Sequence, residues 1–302
     1  MASSHRFQLG PWLLNAFFLG LIRLLRLLPY ERRLATMAWL ASRVFGPLAG
    51  YRRRALDNLT MIYPDMPEAE RRAIATRVLE GFGRTLIENY SRDEFRARIA
   101  DHEIEGPGLA AALKAKEEGR AIIFSSGHYA NHEATRTALD LAGFSVGGLY
   151  KPMQNPWFNA HYVESIVDVS GPIFARSSEG TRGFLRFLSK GGQGFLLHDV
   201  FYNRGEQMHF LGKPAKTAFS AAELALRFDA LLIPYFNTRQ PDGVSFKIEL
   251  LDPIEPSDPR TMTRALMDLL EDKIAEDPTQ WLWVHRRWKQ YKKKNKKKKK
   301  AR

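Results

Sequence analysis

Two histidines, an asparagine and a glutamate crowd residues 128–133, within the run "SSGHYANHE" (Ser125–Glu133). An imidazole can take a proton from a hydroxyl near neutral pH, and a carboxylate can hold it in the right tautomer. His128 is therefore a candidate general base and Glu133 its candidate orienting acid. On a regular helix a five-residue separation would put the two on different faces. They meet only if His128 stands in the turn before the helix, as Gly127 suggests. Two other readings use the same residues. His128, His132 and Glu133 could ligate a metal, but only with both histidines on one helical face. Alternatively, Asn131 is a good N-cap and Glu133 suits the helix dipole without any chemistry. The pattern alone does not choose among the three.

The surrounding elements decide where such a cluster would sit. From about Ala121, short apolar runs alternate with helical stretches. "AIIFSS", "SVGGLY", "GFLLH", "ALLIPYF" and "FKIELL" read as strands; segments ending near Leu141, Ser170, Lys190 and Phe228 read as helices. A last helix is expected from about Pro259 to Glu276, with Asp258 as N-cap and Pro259 in its first position. This alternation predicts an α/β domain with a mixed, largely parallel sheet. His128 then falls at the carboxyl end of a strand, where open α/β sheets hold their sites. Residues 30–100 read as helical, with Ile74, Val78, Phe82 and Leu86 at four-residue steps. The expected organisation is a membrane-associated helix (1–30), a helical region (31–115), an α/β domain (116–290) and a disordered polybasic tail (291–302).

With 44% apolar residues the 302-residue chain is a folded protein, and its lack of cysteine excludes disulfides, thiolate catalysis and cysteine-bound metal. The net charge of +13 is concentrated at the ends. Arg286–Arg302 holds twelve Lys/Arg and no acid, Met1–Leu56 is +8, and the body between them is −7. Nucleic-acid binding would favour a basic stripe through the body. Basic ends fit anionic inner-membrane lipids instead. "PWLLNAFFLGLIRLLRLL" (Pro11–Leu28) supports this: it lacks a cleavage site, and its charge-free part is short of the ~20 residues needed to span a bilayer. The expectation is an uncleaved helix that enters the membrane shallowly or barely spans it. In the spanning case Arg23, Arg26, Arg32 and Arg33 keep the body on the cytoplasmic face.

Six ordered blocks extend the cluster into a resemblance. "SSGHYANHE" is similar to the H-x4-[DE] motif of glycerolipid acyltransferases, and more so to the "GHxGNWE" form of the lipid A biosynthesis lauroyl/myristoyl acyltransferases. "YRRRALDNLTMIYPD", "YKPMQNPWFN", "GFLLHD", "FLGKPAKTAF", "ALLIPYFNTR" and "DPTQWLWVHRRWK" resemble further blocks of that family in the same order. Ala130 and His132 stand where the family usually has Gly and Trp, and Lys151 replaces the usual Arg. "SSEGTR" (Ser177–Arg182) also resembles a block of the glycerolipid enzymes, although a capped helix start accounts for it equally well.

The resemblance implies transfer of a fatty acyl group from acyl carrier protein to a hydroxyl of a lipid A precursor at the inner membrane, with no cofactor and no metal. It implies His128 as base and Glu133 as its partner. Asn131, Lys151 or backbone N–H groups are expected to serve the oxyanion. Arg176 and Arg239 are expected to hold acceptor phosphates, and Asp199 to hydrogen-bond within the site. Arg286 and Arg287, flanked by Trp281, Trp283 and Trp288, suggest a membrane-interface cluster, although core packing fits Trp281 and Trp283 better. Two alternatives remain: a lysophospholipid or other glycolipid acceptor, and a non-catalytic membrane- or nucleic-acid-binding protein.

Overall fold

The computed structural model describes residues 8–167 and 169–291, so residues 292–302 of the expected tail lie outside the described residues, while Tyr291 packs against the C-terminal core. The N-terminal region is helical: α1 (Leu9–Leu25), α2 (Tyr30–Leu40), a π-helical turn (Ala41–Phe45) running into α3 (Gly46–Leu48), α4 (Tyr51–Ile62), α5 (Glu68–Asn89) and α6 (Arg92–Ile99). Beyond it come β1 (Ile104–Glu105), α7 (Gly108–Glu117), β2 (Ile122–Ser126), α8 (His132–Leu141), β3 (Val146–Tyr150), α9 (Pro156–Val167), β4 (Ile173–Ala175), α10 (Ser178–Leu188) and β5 (Gln193–Leu197). A hairpin, β6 (Glu206–Phe210) and β7 (Lys213–Thr217), precedes α11 (Ser220–Arg227), β8 (Leu231–Arg239), β9 (Phe246–Leu250) and α12 (Pro259–Glu276). Asp258 caps α12 as expected, accepting from the N–H groups of Arg260 and Thr261.

Seven strands form one sheet in the order β1-β9-β8-β2-β5-β3-β4. Every pairing is parallel except β8–β9, so the sheet is mixed and mostly parallel. β2 is buried along its whole length, as a central strand covered on both faces must be. Ile122 and Phe124 pack with Ala112, Leu139 and Phe144 from the α7 and α8 side. Ile123 packs on the other face with Phe184, Ala222 and Leu266 from α10, α11 and α12.

A separate core joins the helical region to the C-terminal segment. Leu59 of α4, Ile74 and Val78 of α5, Phe210 of the hairpin, and Trp281, Trp283 and Trp288 pack together. All three tryptophans are buried, and truncating a core Trp typically costs ~3–5 kcal/mol. The expected membrane-interface cluster is thus absent here, because Arg287 is buried with them and donates to Lys216 O and Thr217 Oγ1. Nor do the tryptophans form a final strand; the only pairing there among the described residues is the bridge Tyr129–Trp281. Along α5, Ile74 and Val78 are buried but Phe82 is exposed. Four-residue steps overshoot the 3.6-residue turn, so the buried set drifts to Leu79, Gly83 and Ile87.

α1 docks through Ile22 and Leu25 onto α2 and α5. Its one uncharged polar residue, Asn15, is buried against His161 of α9 (2.7 Å). Leu9, Leu13, Leu14, Phe17 and Leu24 face outward and exposed. No helix among the described residues is long and apolar enough to cross a membrane. Arg33 is not a free cation, because it is buried and paired with Glu94 and Ser91.

Candidate active site

Parallel pairing of β2 with β5 sets Ser126 opposite Leu197. Two residues beyond those neighbouring strand ends stand His128 and Asp199, so register alone brings them side by side. His128 Nδ1 and Asp199 Oδ1 are 2.7 Å apart, and the backbone N–H of His128 donates to Asp199 Oδ2 (2.9 Å). Trp281 Nε1 donates to the same Oδ2 (2.8 Å). Burial by itself would raise the Asp199 pKa. The adjacent His128 imidazole and the bonds it donates outweigh that and hold the carboxyl well below the usual range. Gly127 is needed in the connection, since a Cβ there would meet Leu270 side-chain carbons at 2.6 and 2.8 Å.

The turn carrying His128 is fixed from several sides. Ala130 N donates to Gln280 O (2.8 Å) and Leu282 N to His128 O (3.1 Å). Asn237 Nδ2 donates to Asn131 O. Asn131 caps α8 by accepting from Glu133 N (3.1 Å), and its Nδ2 donates to Glu88 Oε2 (2.8 Å). Ala130 adopts a left-handed φ of 45° in this turn.

The expected pairing of His128 with Glu133 is corrected by this geometry. Among the described residues no hydrogen bond or ion pair joins them. Glu133 points to Arg136 Nη1 (3.1 Å) and lies 3.4 Å from His132 Nε2. His128 leaves the strand end in the direction of Asp199, whereas Glu133 belongs to the first turn of α8. Asn131 is corrected too: it is fully buried, and its amide is committed to Glu88 and the helix cap. Arg239 is likewise buried, with both terminal nitrogens on Glu88 (2.5 and 2.6 Å), and so is not free for a phosphate. Asp199, expected among the substrate-binding residues, is fully buried and bonded to His128.

A cleft of about 1530 Å³ opens at this point, lined by His128, His132, Glu133, Lys151, Arg176, Arg239 and His285 among others. The His128 side chain is 25% exposed to it, while that of Asp199 behind is fully buried. Because Asp199 takes Nδ1, Nε2 is the ring nitrogen of His128 left free of that contact. Lys151 and Arg176 follow directly on β3 and β4, where Tyr150 pairs with Ala175, so both exposed cations flank one rim. Arg54, Arg77, Arg84, Arg286 and Lys289 line other parts, against Glu80 and Asp277, which leaves the walls cationic. Ser177 caps α10 through Gly180 N (3.0 Å), so "SSEGTR" is a helix start with Glu179 exposed.

Further residues at the site carried no expectation. His198 Nδ1 lies 3.0 Å from Ser125 Oγ, and its pKa is pushed down to about 4 by burial, against the opposing charge of Asp199. His285 stacks edge to face on His128, with centroids 4.5 Å apart. It stands inside the block "QWLWVHRRWK", but only the tertiary fold brings that block to His128. His128, Asp199 and His285 are also the one group among the described residues that could hold a metal ion. A cation there would displace the proton shared by His128 and Asp199. The set first considered for a metal, His128, His132 and Glu133, is not brought together.

The sequence model described as "Bacterial lipid A biosynthesis acyltransferase" matches residues 3–290. The chain is 25% identical over 245 residues to the lipid A biosynthesis lauroyltransferase of Escherichia coli K12, covering 77% of each protein. It is 25% identical to a lipid A biosynthesis acyltransferase of Haemophilus influenzae, covering 80% of this chain and 78% of that protein. It is 24% identical to the lipid A biosynthesis myristoyltransferase of Escherichia coli K12, covering 77% and 73%.

Proposed function

Because this chain belongs to the bacterial lipid A biosynthesis acyltransferase family, we propose that it moves a fatty acyl group from the thioester of acyl carrier protein to a hydroxyl of a lipid A precursor. The observation that carries the chemistry is the His128–Asp199 contact at the floor of the cleft. Asp199 holds the proton of His128 on Nδ1, so Nε2 is basic and faces the acceptor hydroxyl. As that proton arrives, the ionised Asp199 stabilises the imidazolium. The hydroxyl oxygen attacks the thioester directly, since the chain has no cysteine for a thiol relay. Neither a cofactor nor a metal enters these steps.

The cationic walls suit an acceptor that carries phosphate, with Lys151 and Arg176 poised at one rim. Lys151 offers a point charge, not the bidentate fork an Arg would give. Glu133 is assigned to holding Arg136 and bordering His132 at the cleft wall. Location follows from α1: its outward leucines and Phe17 suit burial in one leaflet of the inner membrane, on the cytoplasmic face, without spanning it.

The test is mass spectrometry of lipids from cells with and without the gene, complemented by the wild type or by His128→Ala. The expected result is a lipid A short of one acyl chain, restored only by the wild type. Unchanged lipid A together with altered lysophospholipid or glycolipid acylation would move the acceptor to those classes.

A further inference from the structure

His285 lies against the catalytic imidazole but takes no part in the Asp199 contact. One nitrogen of His285, one of His128 and an oxygen of Asp199 all lie within 4.8 Å of one another. Its Nε2 is buried and has no hydrogen-bond partner among the described residues. Buried nitrogens of this kind are rare in native structures and call for a reason. The backbone carrying it is firmly held: Asn58 Nδ2 donates to Trp283 O (2.6 Å) and His285 O (2.9 Å). His285 also borders the cleft.

The acyl-transfer reading above, on which this inference rests, leaves one charge unaccounted for. When the acceptor oxygen adds to the thioester carbonyl, a C–O bond forms and the carbonyl π pair moves onto its oxygen. The hydroxyl proton passes to His128 Nε2. Collapse then re-forms the carbonyl, breaks the C–S bond, and returns that proton to the departing sulfur. The intermediate oxyanion requires a donor aimed at it. Of the donors expected there, Asn131 is turned away to Glu88, and Lys151 stands exposed at the rim.

We propose that His285 is a second catalytic residue, whose Nε2–H donates to this oxyanion. The ring stacks edge to face on His128, with centroids 4.5 Å apart, which sets a second imidazole beside the base.

The experiment compares kcat, KM and melting temperature for the full chain and for His285→Ala, His285→Gln, His285→Phe and His128→Ala, on one thioester donor and one acceptor. Loss of a single oxyanion donor typically lowers kcat by ~10²–10³, so His285→Ala is expected to fall by that amount with KM nearly unchanged. His285→Gln, whose amide can donate, should recover roughly tenfold or more. If the alanine variant does not fold, His285→Phe replaces it as the ring without a donor. A folded Ala or Phe variant with wild-type kcat overturns the proposal, and so does a folded Gln variant as slow as either of them. His128→Ala separates the two levels: retained turnover there removes His128 as the base on which this inference rests. A dead His128→Ala beside an active His285→Ala removes only the role of His285.

Discussion

Replacing Asp199 by asparagine changes one atom and tests the assignment of the dyad. The carboxylate accepts three N–H groups: His128 Nδ1 on Oδ1, and His128 N and Trp281 Nε1 on Oδ2. Asparagine keeps one acceptor oxygen. It goes where two donors converge, at the Oδ2 position, and the new NH2 then faces His128 Nδ1. That contact is satisfied only if Nδ1 gives up its proton, which forces the hydrogen onto Nε2, the atom that must be basic. A wrong tautomer of this kind costs about 10⁴ in kcat, or ~5 kcal/mol of transition-state stabilisation, with the fold preserved. Single-turnover acyl transfer from a labelled thioester measures the loss, and melting curves check the fold. Glu133→Gln is the control. It weakens the buried contact to Arg136 and is expected to lower stability more than turnover. The opposite order, with Asp199→Asn active and Glu133→Gln dead, would refute the dyad assigned here and restore Glu133 as the partner of His128.

Ala130→Gly should raise the melting temperature. A non-glycine residue at φ 45° carries ~1–3 kcal/mol of strain, more than the ~0.5–1 kcal/mol that glycine's extra chain entropy costs. Unchanged or lower stability would mean that the turn is not strained. Leu13→Glu with Phe17→Glu should weaken binding to vesicles at high salt by at least tenfold, since each buried apolar side chain contributes ~1.5–3 kcal/mol. Co-sedimentation equal to wild type would remove α1 from the membrane contact. Acidification should destabilise the fold between about pH 6.5 and pH 4. His198 and His285 stay neutral in the folded protein down to about 4, while the unfolded chain binds their protons below its ordinary value, so stability falls with pH across that window and levels off beneath it. A flat melting temperature over this range would show that the two rings are not held neutral.

What the sequence disclosed was whatever short-range pattern controls. The apolar run into Gly127, the Asn131 cap and the Asp258–Pro259 start of α12 all depend on neighbours a few residues away. The contact of His128 with Asp199 does not, because it requires β5 to lie beside β2 in the register that matches Ser126 with Leu197. Spacing within one motif therefore pointed to Glu133, the nearest acid in sequence, although a nearer one in space waited at the next strand end. Arg239 and Asn131 failed for a related reason. Both have the chemistry of substrate-binding groups, but Glu88 of α5 claims them, and nothing in their own blocks reveals that. The β6–β7 hairpin lacked its signal because its turn uses Leu211 and Gly212, with φ of 48° and 70°. An Asn or Asp at the first of these would have marked it.

The helical N-terminal region accordingly buttresses the proposed site and is more than a carrier for its first helix. α5 supplies Glu88, whose carboxylate holds Asn131 at one end of the His128 turn and Arg239 of β8 at the other side. α4 supplies Asn58, which fixes the backbone of Trp283 and His285, and Arg54, which donates to Val284 O (3.2 Å). The C-terminal segment closes the circuit by bonding back to the turn through Gln280, Trp281 and Leu282. Three stretches distant in sequence thus meet around one imidazole, each holding another in place. A strained left-handed alanine can persist at the centre of such an arrangement because the surrounding contacts over-determine its conformation.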